Sequence, residues 1–592
     1  MLSPDTRAVA MDLLRAPVGY GLDLAILTTY TLDLEALLAL PLAVLARADG
    51  SIEDLLDDPL LVLEALREAG NRIHVFVDET GIAAPRRQRE LYATLESSVH
   101  AVRAKGVFHP KVWVARFVPK EASGDGLTAL LRVAVMSRNL TYDRSWDVAL
   151  ASEAPVGRRR VATSRPLGEL LIALPKLAVT SLPTDLTGQV NEIAEQARRT
   201  KFPAPEGFGS PIAFHTLGLA SSGRWPPRID AARNVVAVAP FVRKTALDKV
   251  VGLSEGDRVL ISRSEELDGL SEEALSPWRE VLALSDSAIG EANDEASYPS
   301  RLHAKLLGVE HGWDVTWFVG SANLTRAAFF GNNVEVMAEV TGRKSKVGIS
   351  KFLDNIRDLC SPYHHQSVPD TKDEVARRAE SKLDKALEAL LAAKFKIVCA
   401  ARGDCWEWRL QGEIQLSDEI NAHVWPVSIA EESACPLVQP ISLNMHVSQL
   451  TAFAAFRLSV DVSGVDDRRL ALRLPIEGVP EERLAHVLRL LIDSTDRFLA
   501  FLRALLGGLD RLGELVTGDD SGPDSVWRLG FGGETLLEDI IRAASRDPTR
   551  LETVRELIAD LLKTEEGRRV LPKDLHLIWQ AVEKALASRT IS

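Results

Sequence analysis

The sequence predicts an α/β protein: two α/β/α units of one design, related by a pseudo-twofold axis, followed by a mixed, mainly helical C-terminal domain. Three observations carry this prediction. An apolar β-type run ends in Ser-x-Asn-Leu-Thr twice, as LRVAVMSRNLT (131–141) and as WDVTWFVGSANLT (313–325). A His-x-Lys segment precedes each copy, VFHPKVWVARF (107–117) and RLHAKLLGVE (301–310). An acid inside an apolar run follows each, Asp147 in SWDVALASE and Glu335 in NNVEVMAEV. A repeat of this length marks duplicated structural units.

The upstream elements repeat as well. LDLAILTTYTLDLEALLALPLAVLA (22–46) reads as a buried strand running into a helix, and so does NVVAVAPFVRKTALDKVVGL (234–253). A second strand follows each, in RIHVFVDETG (72–81) and DRVLISRSEE (257–266). Short apolar runs between turn residues read as buried strands, and their alternation with helices as an α/β unit. The expected divisions are residues 1–200 for the first unit, 201–366 for the second and 367–592 for an α+β accessory or partner domain. KFPAPEGFGSP (201–211) reads as the connector and SVPDTKDE (367–374) as the second boundary, since both are rich in turn formers. Beyond it, VARRAESKLDKALEALLAAKF reads as a helix, residues 395–475 as short strands, and the chain from 478 on as helical.

Bulk properties narrow the class. The 592 residues exceed one domain, with 46% hydrophobic and 26% charged residues, as in ordinary globular proteins. No apolar run is long enough to span a bilayer, and MLSPDTRAVAMDLLRA carries charges where a signal peptide would be apolar. The four cysteines form no CxxC pair, which argues against a zinc site and a disulfide framework and fits a cytoplasmic protein. The net charge of −13 still permits a locally basic groove; Arg103, Lys105, Lys111, Arg116 and Lys120 surround the first motif. Arg158–Arg160 reads as a solvated loop.

Residues i and i+2 of a strand share a face. His109 projects with Lys111, His303 with Lys305, Ser137 with Asn139 and Ser321 with Asn323. Pro110 cannot donate a ladder hydrogen bond, so His109 belongs near a strand end or edge. Packing two such units about a twofold axis gathers two imidazoles, two ammoniums, two carboxamides and two acids in one cleft. That set suits attack on a phosphodiester without a metal. Lysines and asparagines grip the non-bridging oxygens, one histidine attacks phosphorus, the other moves protons, and the acids orient the rings. Trp113 shares the face of Lys111 and is a candidate to stack a base, with a core position as the competing reading. Ser137, Ser321, Trp113 and Arg116 are the candidate substrate-binding residues. Trp146 faces into packing. His74, His100, His215, His311, His364 and His365 lack a partner pattern and read as structural or surface histidines.

These residues resemble the phospholipase D superfamily, whose signature is His-x-Lys with a downstream Gly-Ser-x-Asn, present twice. The resemblance covers about residues 20–345. The second copy, HAK…GSANLT…NNVE, is close to the pattern. The first, HPK…SRNLT…WD, has Met136 where the glycine stands. The Asp that commonly follows the Lys is replaced by Arg116 and Glu310, as in the tyrosyl-DNA phosphodiesterase branch and some nuclease-like members. The resemblance implies two phospholipase D-like units and catalysis by His109, Lys111, Asn139, Asp147, His303, Lys305, Asn323 and Glu335, with no metal and no cofactor. It also implies that His109 is the nucleophile and that each acid orients the histidine of the opposite half, Glu335 with His109 and Asp147 with His303. Asp is one methylene shorter than Glu, so Asp147 must start closer to its ring or reach it through water. The implied substrate is nucleic acid, DNA first. The third region more loosely resembles extensions of bacterial phospholipase D-like proteins, which implies a helicase or other anti-phage defence protein as partner; homo-oligomerisation stays open. Two alternatives stand beside this: a non-enzymatic DNA-binding or assembly subunit, and a phospholipid phosphatidyltransferase or phospholipase.

Overall fold

The computed structural model describes residues 13–45, 70–120, 128–141, 145–220, 222–284, 302–365, 374–438 and 440–480, with scattered residues beyond. Among the described residues the strands form four sheets. The first holds β1 (Tyr20–Thr29), β2 (Ile73–Asp78), β3 (Val99–Val102), β4 (Val112–Pro119), β5 (Leu130–Met136) and β6 (Ala149–Pro155), in the order β3-β2-β1-β4-β5-β6. The second holds β7 (Ala213–Leu217), β8 (Ala232–Val238), β9 (Arg258–Ser262), β10 (Glu280–Leu284), β11 (Leu306–His311), β12 (Asp314–Gly320), β13 (Glu335–Arg343) and β14 (Cys360–Pro362), in the order β14-β10-β9-β8-β11-β12-β13-β7.

Without its two edge strands the second sheet repeats the first. β1, β2 and β3 run parallel, as do β8, β9 and β10. β4, β5 and β6 are antiparallel, as are β11, β12 and β13. Register matches too: Met136 faces Ala149 and Gly320 faces Met337. The motif residues thus hold equivalent places in two copies of one sheet, as the doubled sequence predicts.

The central strands are apolar on both faces because both faces are covered, which is the rule for parallel sheets. One face of each sheet enters a single shared core, with Ile26, Val114 and Val133 from the first and Val236, Val319 and Val336 from the second. The helices Arg165–Leu177 and Thr184–Arg199 lie in that core. Their apolar positions, such as Leu186, Val190, Ile193 and Ala197, recur at helical spacing. The opposite face of the second sheet is covered by short helices including Lys244–Val251. That of the first is covered by helix Leu34–Leu45 and by the third region.

The third region begins with helix Glu374–Ala392. Its strands are β15 (Lys396–Arg402), β16 (Cys405–Gln411), β17 (Asn421–Pro426), β18 (Cys435–Pro436), β19 (Ile441–Met445), β20 (Phe453–Ser459), β21 (Arg468–Arg473) and β22 (Ile476–Glu477). They form two four-stranded sheets, β19-β16-β15-β22 and β18-β17-β20-β21, around one core with the helix. The strands expected over 395–475 are therefore present. Trp425, Phe453, Ala455 and Ala471 turn the other way, onto the first unit. There Ala471 donates its N–H to the Ile82 carbonyl at 2.8 Å and Arg483 meets Glu96 at 2.9 Å. Most of the helical sequence expected after residue 478 lies outside the described residues. No described helix is long and apolar enough to cross a membrane.

Candidate active site

The His-x-Lys segments lie just before β4 and β11, and the Ser-x-Asn segments just after β5 and β12, so all four sit at one end of their sheets. Pro110 falls outside the strand, as its missing N–H requires. The halves meet through matching bridges: Phe108 pairs with Val334, and Leu302 with Trp146. The residue before each histidine thus pairs with the residue before the acid of the other half. His109 N–H donates to the Val334 carbonyl at 2.9 Å, and His303 N–H to that of Trp146 at 3.0 Å.

This exchange delivers each histidine to the opposite acid. His109 Nδ1 lies 2.8 Å from Glu335 Oε2, and His303 Nδ1 lies 2.8 Å from Asp147 Oδ1. Both contacts are direct. The Trp146 carbonyl also accepts from Ala304 N–H at 2.8 Å, which draws the His303 segment in to the shorter Asp side chain. With Nδ1–H donated to a carboxylate, each neutral ring carries its lone pair on Nε2, the nitrogen left for chemistry.

The acids are themselves held. Ser137 donates to Asp147 at 2.7 Å and Ser145 to its other oxygen at 2.8 Å. Ser321 donates to Glu335, and Asn333 Nδ2 lies 3.4 Å from the second Glu335 oxygen. Each motif serine also accepts from a backbone N–H, that of Val148 or Val336. Ser137 and Ser321, expected to bind substrate, instead lock the carboxylates: their hydroxyls are fully engaged inside the protein. Lys111 and Lys305 are buried and donate to the carbonyls of His109 and His303 at 3.0 and 2.6 Å. Asn139 Oδ1 accepts from Thr31 N–H at 3.3 Å, whereas Asn323 Oδ1 is buried without a hydrogen-bond partner among the described residues.

Electrostatics follow from this burial. Burial pushes the His109 pKa down to about 4, outweighing the pull of Glu335. His303 is lowered as well, by burial, against the pull of the hydrogen bond it donates to Asp147. Burial lowers Lys111 to about 7 and Lys305 well below the usual ammonium range, the latter also through the Lys111 charge. Burial raises both acids, but their partners prevail: His303 holds Asp147 below its ordinary value, and His109 does the same for Glu335. With both lysines charged and both acids ionised the cluster sums to zero. One added proton on a histidine gives +1, the complement of a phosphodiester monoanion.

Two expected substrate contacts are corrected. Trp113 keeps the strand parity of Lys111, but β4 carries it into the packed outer face of the first sheet beside Leu27, Phe117 and Ala134. It is a core residue. Arg116 is buried midway along β4, bonded to Asp23 and 3.0 Å from Glu192, and so ties β1 to helix Thr184–Arg199. Its counterpart Glu310 is likewise structural, accepting from Asn234 Nδ2 and Ile349 N–H. Arg103 pairs with Glu79 and Arg160 with Glu195. His74 lies 3.1 Å from His100 in a buried pair, and His215 is paired with Glu339, both structural as expected.

Other groups border the site without having been singled out. The Tyr30 ring lies 5.3 Å from that of His109, and Lys111 Nζ 5.9 Å from the Tyr30 ring centre. Asp78 accepts from Phe108 N–H at 2.8 Å, and Arg263 donates to the Leu302 carbonyl at 2.9 and 2.7 Å. Each lies at the end of the second strand of its unit, and that repeated position was the available signal. Among the described residues no group of three or more His, Cys, Asp or Glu side chains is placed to hold a metal ion.

No protein-family model matches the chain, and no curated protein matches it. Among solved structures it is similar to a yeast tyrosyl-DNA phosphodiesterase, at 10% identity over 57% of this chain and 86% of that one, with a TM-score of 0.33. It is similar to a phosphatidylserine synthase from Haemophilus influenzae, at 11% identity over 64% and 91%, with a TM-score of 0.32. It is also similar to NucT from Helicobacter pylori, at 16% identity over 22% and 84%, with a TM-score of 0.18. Likenesses this distant add no weight to the resemblance to the phospholipase D superfamily, which rests on the doubled motif and its placement.

Proposed function

We propose that this chain is a metal-independent phosphodiesterase of the phospholipase D type that cleaves nucleic acid, DNA first, through a phosphohistidine intermediate. The observation that carries the reading is the reciprocal pairing of His109 with Glu335 and of His303 with Asp147 across the two halves, flanked by Lys111 and Lys305.

The chemistry follows from the free Nε2 atoms. In the first step His109 Nε2 attacks phosphorus, the P–O bond to the leaving group breaks, and protonated His303 gives its Nε2 proton to the departing oxygen. In the second step His303 takes a proton from water, the water oxygen attacks phosphorus, and the P–N bond returns its electron pair to His109. A phosphomonoester leaves and both rings are restored. His109, with its pKa near 4, is neutral as a nucleophile must be at neutral pH. The bound phosphodiester monoanion raises the pKa of the neighbouring basic groups, which supports the proton on His303 and the charges on both lysines. The lysines then meet the charge that grows on the non-bridging oxygens.

The proposed setting is a cytoplasmic enzyme working beside a helicase or another anti-phage defence protein. The test is incubation of purified protein with labelled single- and double-stranded DNA, RNA and phospholipid, with and without excess EDTA. Hydrolysis of DNA that persists in EDTA supports the reading. Hydrolysis of phospholipid alone, or of nothing, overturns it.

A further inference from the structure

The two halves differ at the strand ends that frame the site. Strand registers place Asp78 and Arg263 at equivalent positions: the one accepts from the N–H of the residue before His109, the other donates to the carbonyl of the residue before His303. The same registers align Thr31 with Phe241. Phe241 is 38% exposed, and the Arg263 guanidinium carbon lies 5.0 Å from its ring centre.

The ring is held in place. The Phe241 carbonyl accepts from Leu324 N–H at 3.1 Å, directly after Asn323, and the neighbouring Val242 is fully buried and bridged to Leu324. Arg263 is fixed by both of its bonds to the carbonyl preceding His303. An exposed aromatic ring on a rigid mount, with a cation on one face, thus stands between the Asn323 and His303 segments. A core function does not explain an exposed ring, and burial alone would not recruit an arginine to it.

We propose that Phe241, backed by Arg263, is a stacking platform for the nucleobase beside the scissile phosphate, so that the substrate is a single-stranded nucleic acid. The inference rests on the phosphodiesterase reading above and names its substrate class. A base within a duplex already has neighbours on both faces, so a ring can stack only on a base that is unstacked. The guanidinium beneath adds to the platform through its own stacking and cation–π contact. An acyl chain would call for a continuous apolar floor, whereas this ring has a charged group against it.

The test reads binding in a His109→Ala background, so that it does not depend on turnover. Fluorescence anisotropy compares a single-stranded oligonucleotide with a series carrying one abasic unit, moved a position at a time. One abasic position should weaken binding by on the order of tenfold. Phe241→Ala should weaken the intact strand to that level and leave the abasic strand unchanged, while Phe241→Tyr keeps the difference. Equal losses on both strands, no loss on either, or tighter binding of the duplex or of phospholipid vesicles would overturn the platform. Absence of cleavage by the unsubstituted enzyme would instead count against the phosphodiesterase reading and leave this binding result legible.

Discussion

The first and second halves share a sheet order, a register and a hydrogen-bond scheme, yet their sites are not the same. Beside the His109 segment stand Tyr30 and Asp78; the His303 segment is held by Arg263, which packs on Phe241. Glu335, which orients His109, is more completely buried than Asp147, which orients His303. The first histidine therefore sits in a drier pocket, and burial pushes its pKa down to about 4. The second sits beside an arginine. Unequal burial on a symmetric scaffold favours the neutral form at His109, while the proton on His303 must be supported by the bound phosphate against the neighbouring Arg263, so two chemically identical side chains can take the two roles that the proposed phosphoryl transfer requires.

The same comparison explains why the first motif looks looser. A Cβ at Gly320 would meet the Val336 carbonyl oxygen at 2.1 Å and the Met337 sulfur at 2.9 Å. In the first half the corresponding pair is Met136 with Ala149. The exchange accounts for the sulfur contact only; the Val336 carbonyl contact shows that in the second half the glycine is required by the close approach of the neighbouring backbone.

The largest expected effects fall on the histidines. His109→Ala should abolish turnover, since no other group supplies the nucleophile. His303→Ala should slow the first step by about 10²–10⁴-fold for a poor leaving group and much less for a nitrophenolate, which departs without a proton, so that a nitrophenyl ester gives a burst and then stalls at hydrolysis of the adduct. Equal losses from the two substitutions on both substrates would break the division of roles. The acids come next. Glu335→Gln and Asp147→Asn should each cost up to about 10⁴-fold in kcat, because an amide does not hold the Nδ1–H tautomer as a carboxylate does. Glu335→Gln should cost more, since it also removes the carboxylate that does most to hold the charge of buried Lys111. Steady-state kinetics on one substrate ranks them.

A smaller effect appears in the pH profile. The free enzyme needs His109 neutral and His303 protonated. His109 gains its proton only near pH 4, and His303 loses its own below its usual pKa. So kcat/KM should rise from pH 4, peak on the acid side of neutrality and fall through pH 7, with loss of the Lys111 charge near pH 7 steepening the fall. The phosphodiester raises these pKa values, so the alkaline limb of kcat should lie at higher pH than that of kcat/KM. Coincident limbs would show that the bound anion is not felt by these groups. The smallest catalytic effects belong to the corrected residues. Trp113→Phe should cost about 1–2 kcal/mol of stability through lost packing, read by denaturant unfolding. Arg116→Ala should cost about 1 kcal/mol, because its partners Asp23 and Glu192 stay partly solvated. Both should leave kcat/KM within a factor of about 2, where a base-stacking or phosphate-binding role would show a clear rise in KM.

Much of this was legible because the motif is stated twice. Each polar position of one copy names its counterpart, whereas the exchange of acids between halves is implied by the family resemblance alone, since a twofold axis equally allows each acid to serve its own half. Trp113 and Arg116 were misplaced for geometric reasons. Strand parity says which face a residue shares but not how far along the strand the site extends. Here the site lies at the strand ends, and five residues of β-strand carry Arg116 about 16 Å from Lys111. Phe241, Arg263, Asp78 and Tyr30 were passed over because no motif contains them. Their roles arise only when the sheet brings strand ends together, and their difference between halves shows only after register aligns them.

The central claim is that the first half supplies the nucleophile and the second the proton. Mass spectrometry of the His303→Ala protein, quenched in alkali during turnover of a nitrophenyl phosphodiester, tests it most directly. The account predicts a phosphoryl adduct on the peptide containing His109, and none in His109→Ala. An adduct on His303 in the unsubstituted enzyme, or hydrolysis with no adduct on either ring, would contradict it.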